Sequence, residues 1–195
     1  MPPKERLSKQ EIVDAAFAHL RREGIEGLNA RSLAAELGCS TMPLFRHFSG
    51  MEEIRQAAVN RAGECYNHYI QQGLSEPIPF KGVGRAYIRF AREEPQLFKL
   101  FFVLPHELAP EVPLADSNYQ KVAEAASLSA EVSLPQAEKI YQQMWIFVHG
   151  IATLMASRKL DWDDDEISRQ TSEIFNALKQ HLHDTNDLYE TEESS

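Results

Sequence analysis

Between Ser40 and Phe48 the chain reads Ser-Thr-Met-Pro-Leu-Phe-Arg-His-Phe, a set suited to recognition rather than to bond-making. If Ser40 opens a short helix, Thr41, Met42 and Pro43 occupy its first turn and Arg46 lies one turn further, with Leu44 turned inward. A helix of that kind fits the major groove of B-DNA, where first-turn residues approach base edges. The threonine methyl, the methionine and the proline offer apolar contact to thymine methyl groups. Arg46 can bind guanine through two N–H groups or sit on a phosphate. Arg31, Phe45 and His47 are expected at the DNA backbone, with the free N–H groups at the helix starts near Asn29 and Ser49. A plainer reading stays open: a short packing helix with an exposed Arg46 and a surface histidine at 47.

Other chemistry finds little support. No Ser/His/acid set stands at informative spacing, no glycine loop suits a phosphate, and Asp161 to Glu166 lacks the glycine and alternating ligands of a calcium loop. The acids Asp163 to Glu166 are better explained by the start of a helix. Cys39 and Cys65 are too few for a disulfide framework and lack metal-ligand spacing. Neither enzyme, metal site nor cofactor is therefore expected. The start, MPPKERLSKQE, has no apolar signal region, and the apolar run from Met144 to Ala156 is too short to cross a bilayer. The expected setting is cytoplasmic, with no membrane partner.

The elements that must position the reading residues are helices. Ser8 with Glu11 forms a capping box for a first helix that Gly24 stops, and Asn29 caps a second that Gly38 closes. Ser40 then begins the third, and Ser49 with Glu52 opens a long fourth helix to about Gly73. A sharp glycine turn between two short helices outlines a helix-turn-helix. Further helices are expected over about Phe80–Glu93, Gln96–Val103 with Pro95 in its first turn, Asp116 or Ser117 to Glu131, the cap of Ser133 with Gln136 to Arg158, and Asp163–Leu182. Pro105, Pro110 and Pro113 make the stretch between the second and third of these later segments a loop. No strand pattern competes, so the fold class is all-α.

Charge is divided unevenly. The 195 residues carry 20 Lys+Arg and 29 Asp+Glu, net -9. Residues 1–62 hold nine basic and eight acidic side chains, and residues 63–195 hold eleven and twenty-one. That distribution argues against coating nucleic acid by bulk charge, yet leaves room for a small reading module on an acidic body. Acids among the last twelve residues suggest a solvated, disordered tail over 184–195.

The helix after Gln136 is apolar on two adjacent faces, one of Ile140, Met144, Phe147, Ile151 and Leu154, the other of Tyr141, Trp145, Val148, Ala152 and Met155. A helix so apolar should be covered on both sides. One face suits the domain core and the other a second copy, with Gly150 permitting close approach and Ile167, Ile174 and Leu178 on the last helix completing the interface. Trp145, Val148, Gly150, Ala152 and Leu154 are thus expected at a dimer interface, although a central helix of a monomeric bundle would also fit. His149 is either a satisfied buried histidine or a polar handle. Tyr66, Tyr69, Tyr87, Phe98, Phe101, Phe102, Met144, Phe147 and His149 could line a small-molecule pocket, or simply fill a core.

Residues 9–62 resemble the DNA-binding domain of the TetR/AcrR family of bacterial transcriptional regulators. The resemblance is carried by Ile12, Ala15, Ala16, Phe17, Gly24, Leu33-Ala34, Gly38-Cys39-Ser40 and Leu44-Phe45-Arg46-His47-Phe48. The sequence departs from the family pattern at Phe45, where a tyrosine hydroxyl usually reaches a phosphate, and at Met51, where a lysine is common. Cys39 replaces a small valine. Fewer neutralised phosphates imply weaker, less salt-dependent binding. The remainder is similar to a subset of the family with a Trp-His-Gly signature, here Trp145, His149 and Gly150, preceded by Phe90-Ala91-Arg92-Glu93-Glu94-Pro95. The resemblance implies a DNA-binding domain over 1–50, steadied by 51–62, and a ligand-binding and dimerisation domain over 51–183. It also implies a homodimer, double-stranded DNA with a palindromic operator and a small-molecule effector. The function expected is repression relieved by a mostly apolar ligand. The alternative is an all-helical protein–protein interaction module.

Overall fold

A computed structural model describes residues 7–105 and 118–193, and among them the fold is all-α. The helices are α1 (Lys9–Glu23), α2 (Ala30–Glu36), α3 (Met51–Leu74), α4 (Pro79–Glu93), α5 (Pro95–Phe102), α6 (Tyr119–Ala130), α7 (Leu134–Ala156) and α8 (Asp164–Glu193). N-terminal helices in a helix-turn-helix-like arrangement are joined to a larger helical domain. The chain divides into two compact units, with the line drawn within α3 between Asn67 and His68. The residues from Glu94 onward that form α5 belong with the first unit, whereas the sequence reading drew its boundary at residue 50. Pro110, Pro113 and the start expected at Asp116 or Ser117 lie outside the described residues.

In the first unit, α1 begins with the capping box read from the sequence. The Glu11 N–H donates to Ser8 Oγ at 3.2 Å, and the Ser8 N–H donates to the Glu11 carboxylate at 2.7 Å. Gly24 ends α1 at φ +81°, a conformation that costs other residues more. The buried face of α1 is Ile12, Ala16, His19 and Leu20, and α2 adds Leu33 and Ala34. Gly38, at φ +62°, turns the chain after α2.

The expected third helix is a single 3-10 turn, Leu44–Arg46. Its bonds run three residues back, from the Leu44 N–H to the Thr41 carbonyl at 3.2 Å and from the Arg46 N–H to the Pro43 carbonyl at 3.3 Å. Pro43 supplies no N–H and disfavours helical geometry at Met42, so a regular helix cannot extend back towards Ser40. Leu44 and Phe48, both buried, anchor the turn instead. The cap of α3 also differs by one residue: the N–H and hydroxyl of Ser49 donate to Glu53, not Glu52, at 2.7 and 3.0 Å.

In the second unit α7 is central, touching α4, α6 and α8. Its start is the expected Ser133–Gln136 capping box. Phe80, Tyr87, Ile88 and Phe90 of α4 and Val122 and Ala126 of α6 are buried in this unit, as are Ile140, Met144 and Ile151 of α7. The helix α8 runs on to Glu193, through the stretch expected as a disordered tail from 184. Neither glycine nor proline interrupts residues 164–193, so nothing in the backbone ends the helix at Leu182.

The end of α3 and the start of α4 approach through two glycines. A Cβ placed on Gly73 would lie 2.6 Å from the Gly82 carbonyl oxygen, and one on Gly82 would collide in turn with the Gly73 carbonyl. Backbone cannot retreat as a flexible side chain can. Gly73→Ala is expected to destabilise the protein by about 1–3 kcal/mol, as overpacked cores do. Urea unfolding with an unchanged slope would measure it, and a loss under about 0.5 kcal/mol would show that the helices separate freely.

Candidate DNA-reading surface and effector cluster

The reading surface is built around the buried pair Leu44 and Phe48. These fix the 3-10 turn, and the residues between and before them face solvent. Met42 is 71% exposed and Phe45 43%, both high for large apolar side chains. Ser40, Arg46 and His47 are also exposed, while Thr41 and Pro43 are half-buried. Arg31, in the first turn of α2, is exposed as well. Of the sequence-expected set, Arg31, Ser40, Met42, Phe45, Arg46 and His47 are thus exposed, and two residues have other roles. Asn29 is occupied as the N-cap of α2, accepting from the N–H groups of Arg31 and Ser32 at 3.0 and 3.1 Å. The His47 imidazole bonds through Nε2 to the Leu7 carbonyl at 2.9 Å, which ties down the chain leading into α1.

The caps use part of the N–H set expected for phosphate at the starts of these helices. Ser32 Oγ accepts from the Asn29 N–H at 3.1 Å, and Ser49 is bound to Glu53. Side chains already satisfy donors that were assigned to phosphate.

Behind the reading surface, His19 of α1 is buried and meets Glu36 of α2 at 3.1 Å, and Arg22 reaches the same carboxylate. Arg55 of α3 donates to the Leu28 carbonyl at 2.9 and 3.1 Å. Arg21 grips Glu94 with two N–H groups, one at 2.7 Å, and the carboxylate is almost wholly buried. This link is not legible from spacing, because Arg21 and Glu94 are 73 positions apart. Desolvation, with Glu94 adding to it, pushes the Cys65 thiol pKa up, which keeps it protonated and unreactive.

The nine residues considered for a ligand pocket fall into both units. In the first, Tyr66, Phe98, Phe101 and Phe102 form one aromatic group, with Tyr66 edge-on to Phe102 at 5.4 Å and Phe98 tilted against Phe102 at 5.3 Å. In the second, Tyr69 lies edge-on to Phe90 and donates its hydroxyl to Glu93 at 2.7 Å. Tyr87 and Met144 are buried, and Phe147 is half-buried. His149 is stacked on Trp145, with ring centres 5.2 Å apart, and its Nδ1 lies 3.0 Å from the Tyr87 hydroxyl. The hydroxyl of Thr153 lies 3.5 Å from its Nε2, so side-chain hydroxyls are among its partners.

Of the residues expected to meet a second copy, Val148, Ala152 and Ile167 are buried within the chain. Val148 is covered from α4, where a Cβ on Gly84 would stand 3.8 Å away. Trp145 and Leu154 are each more than two-fifths exposed, Gly150 is exposed with open space at its Cβ position, and Ile174 and Leu178 are half-buried. Ile146, at 60% exposure, joins this surface and was missed, since an apolar residue in an apolar helix gives no sign of facing out.

The capped helix α2, the turn at Gly38 and the 3-10 turn that follows have the outline of a helix-turn-helix. Residues 12–58 match the description "Bacterial regulatory proteins, tetR family", and residues 80–189 match "Tetracyclin repressor-like, C-terminal domain". The chain belongs to the TetR family of transcriptional regulators. The HTH-type transcriptional repressor DrrR1 of Streptomyces coeruleorubidus is 41% identical over 59 residues, which is 30% of this chain and only 22% of the length of DrrR1. A solved TetR-family member from Streptomyces coelicolor A3 aligns with TM-score 0.55 and 22% identity, over 88% of this chain and 98% of that one. A TetR variant from Acinetobacter baumannii AYE in complex with minocycline aligns with TM-score 0.55 and 16% identity, over 92% and 98%. At such identities the two structures share the fold alone.

The cluster at His149 sets a pH dependence. Burial lowers its pKa from the ordinary value of 6.5, so the folded protein disfavours the imidazolium. As pH falls through about 6.5 the unfolded chain takes up a proton that the folded one declines, and stability is lost below that point. The carboxylates Glu11, Glu53, Glu131 and Glu166 are lowered from 4.5 and act only at more acidic pH. Between pH ~7.5 and ~5.5 the melting temperature of the wild type should therefore fall more than that of His149→Gln. Parallel falls in the two proteins would show that His149 does not carry the effect.

Proposed function

We propose that this regulator is a homodimeric repressor that binds a palindromic operator and is released by a small, mostly apolar ligand. The observation that carries the DNA reading is the exposure of Met42, Phe45 and Arg46 around a turn fixed by Leu44 and Phe48. Large apolar side chains held out in water beside a guanidinium suit thymine methyls and guanine in the major groove. The likeness of 59 residues of the chain to DrrR1, itself a repressor, supports repression. We assign the second domain to the Trp-His-Gly subset on Trp145, His149 and Gly150.

Dimerisation is read from the exposed side of α7. Trp145, Ile146 and Leu154 there form a surface with Gly150, and Ile174 and Leu178 on α8 extend it. Homodimer interfaces are rich in such groups. The effector is read from two features: the Tyr87–His149 pair offers a polar handle beside Met144 and Phe147, and a fold relative is complexed with minocycline. Effector and operator would then weaken each other's binding reciprocally.

Selection of the purified protein against random duplexes should enrich a two-fold symmetric site, and a folded dimer that enriches none would favour the interaction-module alternative. On the selected site, Arg46→Ala should lose about 1–3 kcal/mol more than on random DNA. Equal losses would make Arg46 a phosphate contact. For the assembly, sedimentation at low micromolar concentration should give twice 22.2 kDa. A monomer there would remove the two-fold operator from the reading.

A further inference from the structure

The second unit holds a cleft that none of the foregoing uses. Its volume is about 210 Å³, and it is lined by Glu76, Arg85, Ala86, Arg89, Arg92, Asp164 and Ile167. Three guanidiniums here face two carboxylates, in a part of the chain that is otherwise strongly acidic. Arg85, Arg89 and Arg92 fall four and three residues apart on α4, which places them along one side of the helix. That side meets the first turn of α8 at Asp164 and Ile167.

Two of the arginines are neutralised within the protein. Arg85 pairs with Glu76, and Arg92 pairs with Asp164 at 2.9 Å. Arg89 differs. Among the described residues no carboxylate lies within ion-pair distance of it. Its guanidinium stands over the Tyr69 ring, 5.1 Å from the centre, and one N–H donates to the side-chain oxygen Oε1 of Gln72. Its Nε is buried and has no hydrogen-bond partner. The nearest carboxylate along the helix, Glu93 one turn on, is turned to the Tyr69 hydroxyl. A buried donor left unmatched is uncommon in folded proteins and marks a place where an ion or water is expected.

We infer that this cleft binds a small oxyanion, carried by a phosphoryl or carboxylate group, with Arg89 as its principal partner. A guanidinium presents a planar fork of donors matching both groups, and a small swing of Arg89 towards the anion satisfies Nε as well. Arg85 and Arg92 stand on either side with further N–H groups, while Ala86 and Ile167 give an apolar floor that limits competing water. The volume lies below the roughly 300–1,000 Å³ of sites for drug-sized molecules, so the occupant is a small anion or the charged end of a larger one. This site is independent of the operator reading, and its test needs no DNA.

The test titrates the full chain with inorganic phosphate, and separately with succinate, at neutral pH and constant ionic strength held with sodium chloride. Thermal unfolding is the readout, since a ligand of the folded state raises the melting temperature saturably. Saturation with phosphate alone assigns a phosphoryl group, saturation with succinate alone a carboxylate, and saturation with both the shared oxyanion. Arg89→Gln and Arg92→Gln should each move the midpoint to at least about tenfold higher anion concentration. Asp164→Asn removes a competing carboxylate from an exposed position and should lower the midpoint, which provides a variant with little risk to folding. A rise that never saturates, or a midpoint indifferent to all three substitutions, overturns the proposal.

Discussion

The first unit depends on a carboxylate taken out of water. Glu94 stands at the break between α4 and α5, with Pro95 behind it, and its side chain is almost completely buried. A charge in that position is tolerable only if paired, and Arg21 pairs it from the last turn of α1 with two N–H groups. The pair fixes where α5 lies on α1. Gly24 follows three residues after Arg21, and a Cβ there would come within 3.0 Å of the Gln96 side chain. Pinned in this way, α5 adds Leu97, Phe98 and Leu100 to the core of the DNA-reading unit. A helix-turn-helix of some fifty residues has little apolar surface to bury alone, and such small modules are marginal without additional core. The reading head is therefore completed by a segment from far along the chain.

This is also why the sequence told one kind of fact and missed another. Local rules were legible. The boxes at Ser8–Glu11 and Ser133–Gln136, the Asn29 cap and the glycines that end α1 and α2 stand where their chemistry requires. The register of the α3 cap, at Glu53 instead of Glu52, was beyond reach because both acids can fold back to Ser49. Pro43 is expected in the first turn of a helix from Ser40, but its steric demand on the preceding residue decides against that helix and leaves a 3-10 turn. Long-range facts had no local signal. The burial of Val148 and Ala152 in the chain's own core, and the exposure of Trp145, Ile146 and Leu154, depend on which stripe of the nearly uniform apolar helix α7 faces its neighbours. The exposure of Ser40, Met42, Phe45, Arg46 and His47 agrees with the sequence reading, whereas the roles of two candidates were not legible. Asn29 and His47 have the right chemistry for phosphate, yet the fold gives both of them internal partners.

Placement of charge joins these observations. The first 62 residues are nearly neutral, and the remaining 133 are net -10. An acidic body repels the DNA backbone, so phosphate contacts alone give the molecule little affinity for arbitrary duplex. The head compensates poorly by charge, since Phe45 and Met51 stand where the family pattern has a hydroxyl and a cation, and several N–H groups at helix starts are already capped. What it exposes instead is apolar: Met42 and Phe45 beside Arg46. In the proposed operator complex, contacts of that type would depend on the bases presented and little on salt, so discrimination between sequences would make up a larger share of the binding energy than in a strongly basic head. The arginines of α4 show the same economy of charge. Two of the three are cancelled by acids of the same unit, and the one cation left over sits in a cleft of its own rather than adding to a general attraction for polyanions.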